Sequence, residues 1–277
     1  MKENLLEISG LHYSYDDGRE ALHVSRFSLR RGEQIAVLGA NGAGKSTFFL
    51  SLNGVLHAHG KIVYEGKEIT HRDRNELRRH IGIVFQDPDK QIIASTVSEE
   101  VSFGPMNLRL PREEVARRVR DALAYMNITE FRDRPPHYLS GGEKKRVSIA
   151  DIIAMEPEII VFDEPTVSLD PYNVGLFEAL LEKLREAGRT VLISTHDVDF
   201  AYRWAERAVL LKDGGIEADG PVREVLQDRA LLERCSLKPP LLTEVCTALR
   251  ECGLLKNQCN SPRNVVELKQ LLEVENV

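Results

Sequence analysis

Residues Gly39–Thr47 read GANGAGKST, standing behind the apolar run EQIAVLG (Glu33–Gly39) and opening into KSTFFLSLNG (Lys45–Gly54). A short buried strand ending in glycine, a glycine-rich turn and then a helix is the order that a phosphate cradle requires. The glycines let the backbone wrap the β- and γ-phosphates of a nucleotide, so Gly39, Asn41, Gly42, Ala43 and Gly44 are candidate contacts. Lys45 adds a point charge, the Ser46 hydroxyl is placed to ligate Mg²⁺, and Thr47 is within reach of the α-phosphate. A chance glycine-rich turn is the alternative, and it has no need of a strand on one side and a helix on the other.

Outward from this stretch, strands and helices alternate. GKIVYEGKEI (Gly60–Ile69) reads as a strand pair around a turn, and IGIVFQ (Ile81–Gln86) as a buried strand that ends at Gln86. From about residue 87 to 156 the pattern turns helical. Val115, Val119, Ala122, Leu123 and Met126 recur at helical spacing, with Glu113–Arg117 and Glu114–Arg118 expected as pairs on the other face. Alternation resumes with EIIVFDE, RTVLISTH and RAVLLKDG, and the chain ends in helical segments such as LLTEVCTALRECG and NVVELKQLLEV. The expectation is an α/β nucleotide-binding core over 1–220, a helical subdomain inserted at about 87–156, and a helical C-terminal extension over 221–277.

Composition narrows the function. The 277 residues carry a net charge of −6, which argues against a nucleic-acid partner. No run has the length of a membrane span, and MKENLLEISG has no apolar signal core, so a cytoplasmic chain with any membrane role acting through partners is expected. The four cysteines, Cys235, Cys246, Cys252 and Cys259, have no metal-ligand spacing and read as reduced, partly buried thiols. His57 and His59 form an H-x-H that reads as exposed loop.

Two further stretches carry chemistry. In IIVFDEP (Ile159–Pro165) an apolar strand ends in two carboxylates. Asp163 is positioned for Mg²⁺ or its water shell, and Glu164 is the natural general base for an attacking water. In LSGGEKKR (Leu139–Arg146) a serine and two glycines precede an amphipathic helix, the form of an anion-binding helix N-terminus. His196 and Gln86 close apolar strands. Each reads either as structural or as a group reaching the γ-phosphate.

Gly39–Thr47, Gln86, LSGGE, VFDEP, SLD (Ser168–Asp170) and His196 follow one another in the order and spacing of the ATP-binding-cassette ATPases. The chain resembles that family over about residues 5–220. The resemblance implies an ABC ATPase fold with an antiparallel β subdomain, and ATP with Mg²⁺ as its ligands. It implies roles for Gln86 at Mg²⁺, for Ser140, Gly141 and Gly142 at the γ-phosphate, for Asp170 in the loop after the catalytic strand, and for His196 as a catalytic switch. Tyr15 matches the aromatic that stacks on adenine, with Tyr13 as its neighbour and competitor. The family packs two ATPases head to tail, so the segment at Ser140 is expected to serve the nucleotide of a second copy or of a sister ATPase. Glu143 departs from the glutamine usual in this motif, and is expected to cap its own helix or point away.

The stretch VFQDPDKQIIASTVSEEVSFGPMNLRLP (Val84–Pro111), with LSGGEKKRVSIA, DEPTVSLDP and LKPPLLTEVCTALRECGLL, is similar to the ATPases of energy-coupling-factor and cobalt-type importers. That similarity implies an ATPase on the cytoplasmic face of the cell membrane, bound to integral membrane subunits. Cobalt or nickel is the expected cargo, vitamin uptake the close alternative, and a soluble ABC switch the more distant one. Lys90 and Gln91 are expected to face the membrane partner.

Overall fold

The computed structural model describes residues 4–70, 72–167, 169–255 and 261–275. Ser168 and Cys259, named above, lie outside these. The chain begins with two long strands, β1 (Asn4–Ser14) and β2 (Glu20–Arg30), followed by β3 (Gln34–Leu38), which leads into the P-loop. Helix α1 (Lys45–Leu52) follows, then β4 (His59–Tyr64), the short β5 (Lys67–Glu68), α2 (Arg74–His80) and β6 (Ile81–Val84). Three helices come next, α3 (Val97–Asn107), α4 (Arg112–Tyr125) and α5 (Gly141–Ala154). The core then continues through β7 (Ile159–Asp163), α6 (Pro171–Glu186), β8 (Thr190–Thr195), α7 (Val198–Trp204), β9 (Arg207–Lys212) and β10 (Gly215–Pro221). Helices α8 (Val222–Val225), α9 (Arg229–Arg234), α10 (Leu241–Glu251) and α11 (Val265–Glu275) complete it.

Two sheets divide the strands. One is antiparallel, ordered β2-β1-β4-β5. The other is ordered β10-β9-β3-β8-β7-β6, parallel except for its edge strand β10. The β3, β7 and β8 sequences are buried throughout, as apolar runs in a covered parallel sheet must be. Because these strands run parallel, Leu38, Asp163 and Thr195 finish at one edge, and the loops that follow them meet there. Alternate residues of the sheet feed two apolar clusters. Ile35 and Val37 face β1, β2 and α1, whereas Ala36 and Leu38 face α5, α6 and α7.

The helical segment enters between β6 and β7. Its α4 buries Val119, Ala122 and Leu123. Of the two expected charge pairs, Glu114–Arg118 forms at 2.8 Å. Arg117 does not pair with Glu113. It turns to Glu114 at 2.6 Å, Asp121 at 2.9 Å and Glu156 at 3.1 Å, because three acceptors converge on the other side of its guanidinium. The cluster around α5 and α6 also takes in Val222, Val225, Leu226, Leu231, Leu232 and Cys235. Core packing therefore continues past the last strand, and α10 buries Thr243 and Cys246. Cys235 and Cys246 are buried and Cys252 is exposed, all as free thiols, and burial raises the first two thiol pKa values above the ordinary range.

Candidate functional site: a phosphate cradle and a separate helix terminus

Two glycines of the P-loop have no substitute. A Cβ on Gly39 would lie 2.4 Å from the Leu211 carbonyl oxygen. At Gly44 φ is +101°, and a Cβ would meet the Ala21 carbonyl oxygen at 3.0 Å. Lys45 follows as the first residue of α1. It is buried, and its ammonium donates to the carbonyls of Gly39 (2.8 Å) and Ala40 (3.3 Å). It also stands 3.3 Å from Oε1 of Glu164.

Glu164 is the most constrained residue of the site. Its φ of +45° is left-handed backbone in a residue with a side chain, costing about 1–3 kcal/mol that the surroundings must hold in place. Ser194 does much of the holding. The Glu164 N–H donates to Ser194 Oγ at 2.9 Å, and that hydroxyl donates to Asp163 Oδ1 at 2.5 Å. Oε2 of Glu164 lies 3.0 Å from Nδ1 of His196. Glu164 is thus gripped between Lys45 and His196, its backbone anchored through Ser194. His196 sits just beyond β8 with 62 % of its side chain exposed, so its ring spans from the Glu164 carboxylate to the surface.

Tyr15, Asn41, Gly42, Ala43, Gly44, Lys45, Ser46, Thr47, Gln86 and Glu164 surround one cleft of about 490 Å³. None of Ser140, Gly141 or Gly142 is among its walls. The Tyr15 hydroxyl is 3.1 Å from Thr47 Oγ1, and the Arg19 guanidinium lies over its ring, 5.4 Å from the centroid. Tyr13 packs edge-on against Tyr15 at 5.2 Å and against the core. The structure therefore brings Tyr15, rather than Tyr13, to the cradle. A second, open cleft of about 920 Å³ has Ser46, Gln86 and Asp163 among its walls, with Gly141, Lys144 and Lys145 also lining it.

Gln86 does not end a strand. β6 stops at Val84, because the Phe85 N–H is taken at 3.2 Å by Oε1 of Gln91 and the chain leaves the sheet there. Gln91 is committed inward on its other side too, its Nε2 donating to the Ser148 carbonyl at 3.0 Å and to Asp151 Oδ2 at 3.2 Å. The expectation that Gln91 faces a partner is corrected accordingly. Lys90 is exposed.

The helix at Ser140 is built differently from the cradle. Ser140 and Glu143 form a reciprocal capping box. Ser140 Oγ accepts from the Glu143 N–H at 3.4 Å, and the Glu143 carboxylate accepts from the Ser140 N–H at 2.7 Å. These bonds hold the Glu143 carboxyl below its ordinary pKa, with the Ser140 backbone N–H the main cause. Glu143 caps its own helix. Ser140 and Gly141 are exposed. A Cβ on Gly141 would touch nothing within 4 Å, whereas one on Gly142 would lie 2.7 Å from the Asn173 side chain. Asn173 in turn donates its backbone N–H and its amide to the two oxygens of Asp170, both at 2.8 Å. These bonds lower the Asp170 carboxyl pKa. Asp170 caps α6 and, through Asn173, leans on the turn at Gly142.

Ser194, Asn173 and Lys145 are the residues missed by reading the sequence alone. A signal existed for Ser194, a hydroxyl at a fully buried position near the end of the strand TVLIST (Thr190–Thr195). None existed for Asn173, whose contact with Gly142 spans different elements.

Residues 22–167 match the ABC transporter family. The energy-coupling factor transporter ATP-binding protein EcfA2 of Methanospirillum hungatei is 44 % identical over 275 residues, covering 98 % of this chain and 69 % of its own length. EcfA of Carboxydothermus hydrogenoformans is 42 % identical, covering 96 % of this chain and 97 % of its own length. Among solved structures, cbiO1 from Clostridium perfringens superposes with a TM-score of 0.74 at 38 % identity, over 88 % of this chain and 99 % of that one. A dimeric ATP-binding cassette in a post-hydrolysis state with ADP and Pi gives a TM-score of 0.70 at 30 % identity, over 79 % and 99 % of the two chains. With an ATP cradle, a strand-end carboxylate pair and relatives at this identity along nearly its whole length, the chain belongs to the ABC transporter ATPases and hydrolyses ATP.

Proposed function

We propose that this chain is the ATP-hydrolysing subunit of an energy-coupling-factor importer, resting on the cytoplasmic face of the membrane. The observation that carries the catalytic part is Glu164, held between Lys45 and His196 beside the cradle. On this reading Lys45 neutralises charge on the β- and γ-phosphates. Glu164 takes the proton of the attacking water, and His196 fixes the carboxylate and meets the γ-phosphate. The cradle from Gly39 to Thr47 positions the triphosphate and Tyr15 carries the adenine. Ser46, Gln86 and Asp163 offer hydroxyl, amide and carboxylate oxygens around one cleft, a hard donor set suited to Mg²⁺. When bound there, Mg²⁺ supplies Lewis-acid neutralisation of the charge that develops on the β- and γ-oxygens.

Ser140, Gly141 and Gly142, with Asp170, are assigned to the nucleotide of a second ATPase, either another copy or a sister chain. None of them lines the cleft that runs from Tyr15 to Thr47, Gly141 alone bordering the wide second cleft, and this, with the dimeric ADP-and-Pi neighbour, supports the assignment. Among the described residues no helix is long and apolar enough to cross a membrane. Membrane subunits would supply the pathway, as the naming of cbiO1 as part of the cbiONQ transporter complex suggests. We read residues 1–220 as the ATPase domain, with its helical subdomain at about 87–156, and 221–277 as an extension whose first helices join the core. Cobalt or nickel is the favoured cargo, with a vitamin as the alternative.

Co-purification from membranes, followed by uptake of labelled cobalt and nickel by the reconstituted complex, tests the proposal. Uptake that depends on ATP and is lost with Glu164→Gln is the expected result. Failure to recover any membrane subunit would favour a soluble ABC switch.

A further inference from the structure

The loop that carries Gln86 leaves β6 and returns to α3, and polar side chains of the helical segment hold it at each end. Lys145, nearly completely buried, donates to the carbonyls of Phe85 at 2.7 Å and Gln86 at 3.1 Å. Gln91 accepts from the Phe85 N–H and donates to α5 at Ser148 and Asp151. Lys145, Ser148 and Asp151 are spaced three apart, so one face of α5 presents all three contacts to the loop. Farther along, the buried carboxylate of Glu100 on α3 accepts from the N–H groups of Ile93 and Ala94, at 2.9 and 2.7 Å. Helix α5, which carries Lys145, Ser148 and Asp151, is the one that Ser140 caps.

We propose that Lys145 and Gln91 are positioning residues that fasten Gln86 to α5, so that a displacement of the helix that presents Ser140–Gly142 displaces Gln86 with it. The physical case is one of stiffness. A loop outside the sheet has soft backbone torsions and transmits little on its own. Two carbonyls on consecutive residues are bonded to Lys145 of α5, and the Phe85 N–H is bonded to Gln91, itself tied to α5 at Ser148 and Asp151, which leaves the Phe85–Gln86 unit few independent motions. A buried ammonium is costly unless its donors are satisfied, and carbonyls of the loop satisfy two of the three donors of Lys145. Any movement of the loop relative to α5 strips those bonds, which makes joint movement the lower-energy course. The chain thereby links its own nucleotide, through Gln86, to the surface that it offers to its neighbour's. This inference rests on the reading of Gln86 as a nucleotide-facing residue.

Turnover of the purified full-length chain tests it, with Lys145→Met, Gln91→Leu and Gln86→Ala made singly and in combination. Lys145→Met keeps the stem and removes the donors, and Gln91→Leu, less buried, provides a second variant should Lys145→Met not fold. Each is expected to lower kcat by about tenfold to a hundredfold, the scale of a misplaced active-site group, with ATP affinity held within about twofold, since the cradle itself is untouched. Added to Gln86→Ala, either clamp change is expected to cost nothing more, and Lys145→Gln, which can still donate to one carbonyl, should restore part of the loss. Turnover near that of the parent in both clamp variants, while Gln86→Ala is slow, would overturn the clamp and leave the reading of Gln86 standing. Losses that multiply in the Gln86→Ala background would equally overturn it, because they would mark a general packing role. If Gln86→Ala itself turns over like the parent, the reading of Gln86 fails and the clamp with it.

Discussion

The P-loop wall and the helix terminus at Ser140 are both proposed as phosphate-facing, yet they are built on opposite terms. At the P-loop the charged groups are buried and held. Lys45 and Glu164 are each under a tenth exposed, the Glu164 backbone is strained, and Ser194 pins both carboxylate residues. At the helix terminus Ser140 and Gly141 are exposed, and the Glu143 carboxylate is turned back onto its own cap. Strain and burial belong where bonds are broken, whereas an exposed, self-capped terminus suits a surface that a second molecule must reach and leave. On the proposed reading, the difference marks two unlike half-sites rather than two equivalent phosphate sites.

The sharpest way to break the comparison lies at Glu164. Glu164→Gln keeps the shape and removes the base, and should lower turnover by about 10²- to 10⁴-fold with ATP binding retained. Near-normal hydrolysis by this variant would show that the constrained carboxylate is not the base. A smaller effect is expected at Ser194. Ser194→Ala deletes the hydroxyl that links Asp163 to the Glu164 backbone and should slow turnover about tenfold, the value of one hydrogen bond to a charged group. An unchanged kcat would mean that the strained backbone holds without it.

Much of this was legible in the residues. The motif from Gly39 to Thr47, flanked by an apolar strand and a helix, placed the cradle, and the strand ending in Asp163 and Glu164 placed the carboxylates, because local periodicity and spacing determine both. The capping role of Glu143 was legible too, from its position three residues after Ser140. What could not be read is contact between distant segments. Nothing near Arg117 announces Glu156, and nothing near Gly142 announces Asn173. Gln91, in a polar turn, read as surface, whereas it fills hydrogen bonds on α5. The end of the last strand suggested a boundary at residue 220, but apolar packing runs on to Cys235.

The helical half makes its own, smaller prediction. Burial pushes the Asp151 carboxyl up to about 7, with the Gln91 amide opposing and Glu100 adding to the rise. A folded-state pKa above the unfolded one favours folding at low pH, and that contribution is lost as pH rises through about 7. Asp151→Asn keeps an acceptor for Gln91 without the ionisation. Its Tm relative to the parent should therefore be higher at pH 8 than at pH 5, by about 2–4 °C. The same difference at both pH values would show that Asp151 does not titrate in this range.

The central claim is that the helix terminus of one chain completes the cradle of another, and mixing two defective chains measures it most directly. Gly141→Asp is the cleaner lesion at the terminus, since a Cβ there has nothing of its own chain within 4 Å, whereas one on Gly142 would meet Asn173. Lys45→Ala removes the cradle's charge and should weaken ATP binding by itself. Each variant alone should be nearly inactive. In a mixed pair, one site carries both lesions and the other joins an intact cradle to an intact terminus. The account predicts that ATP-dependent mixed pairs form and that the mixture recovers hydrolysis that neither chain shows alone. Mixed pairs that form yet stay as inactive as their components, or Gly141→Asp chains that hydrolyse ATP like the parent, would contradict it.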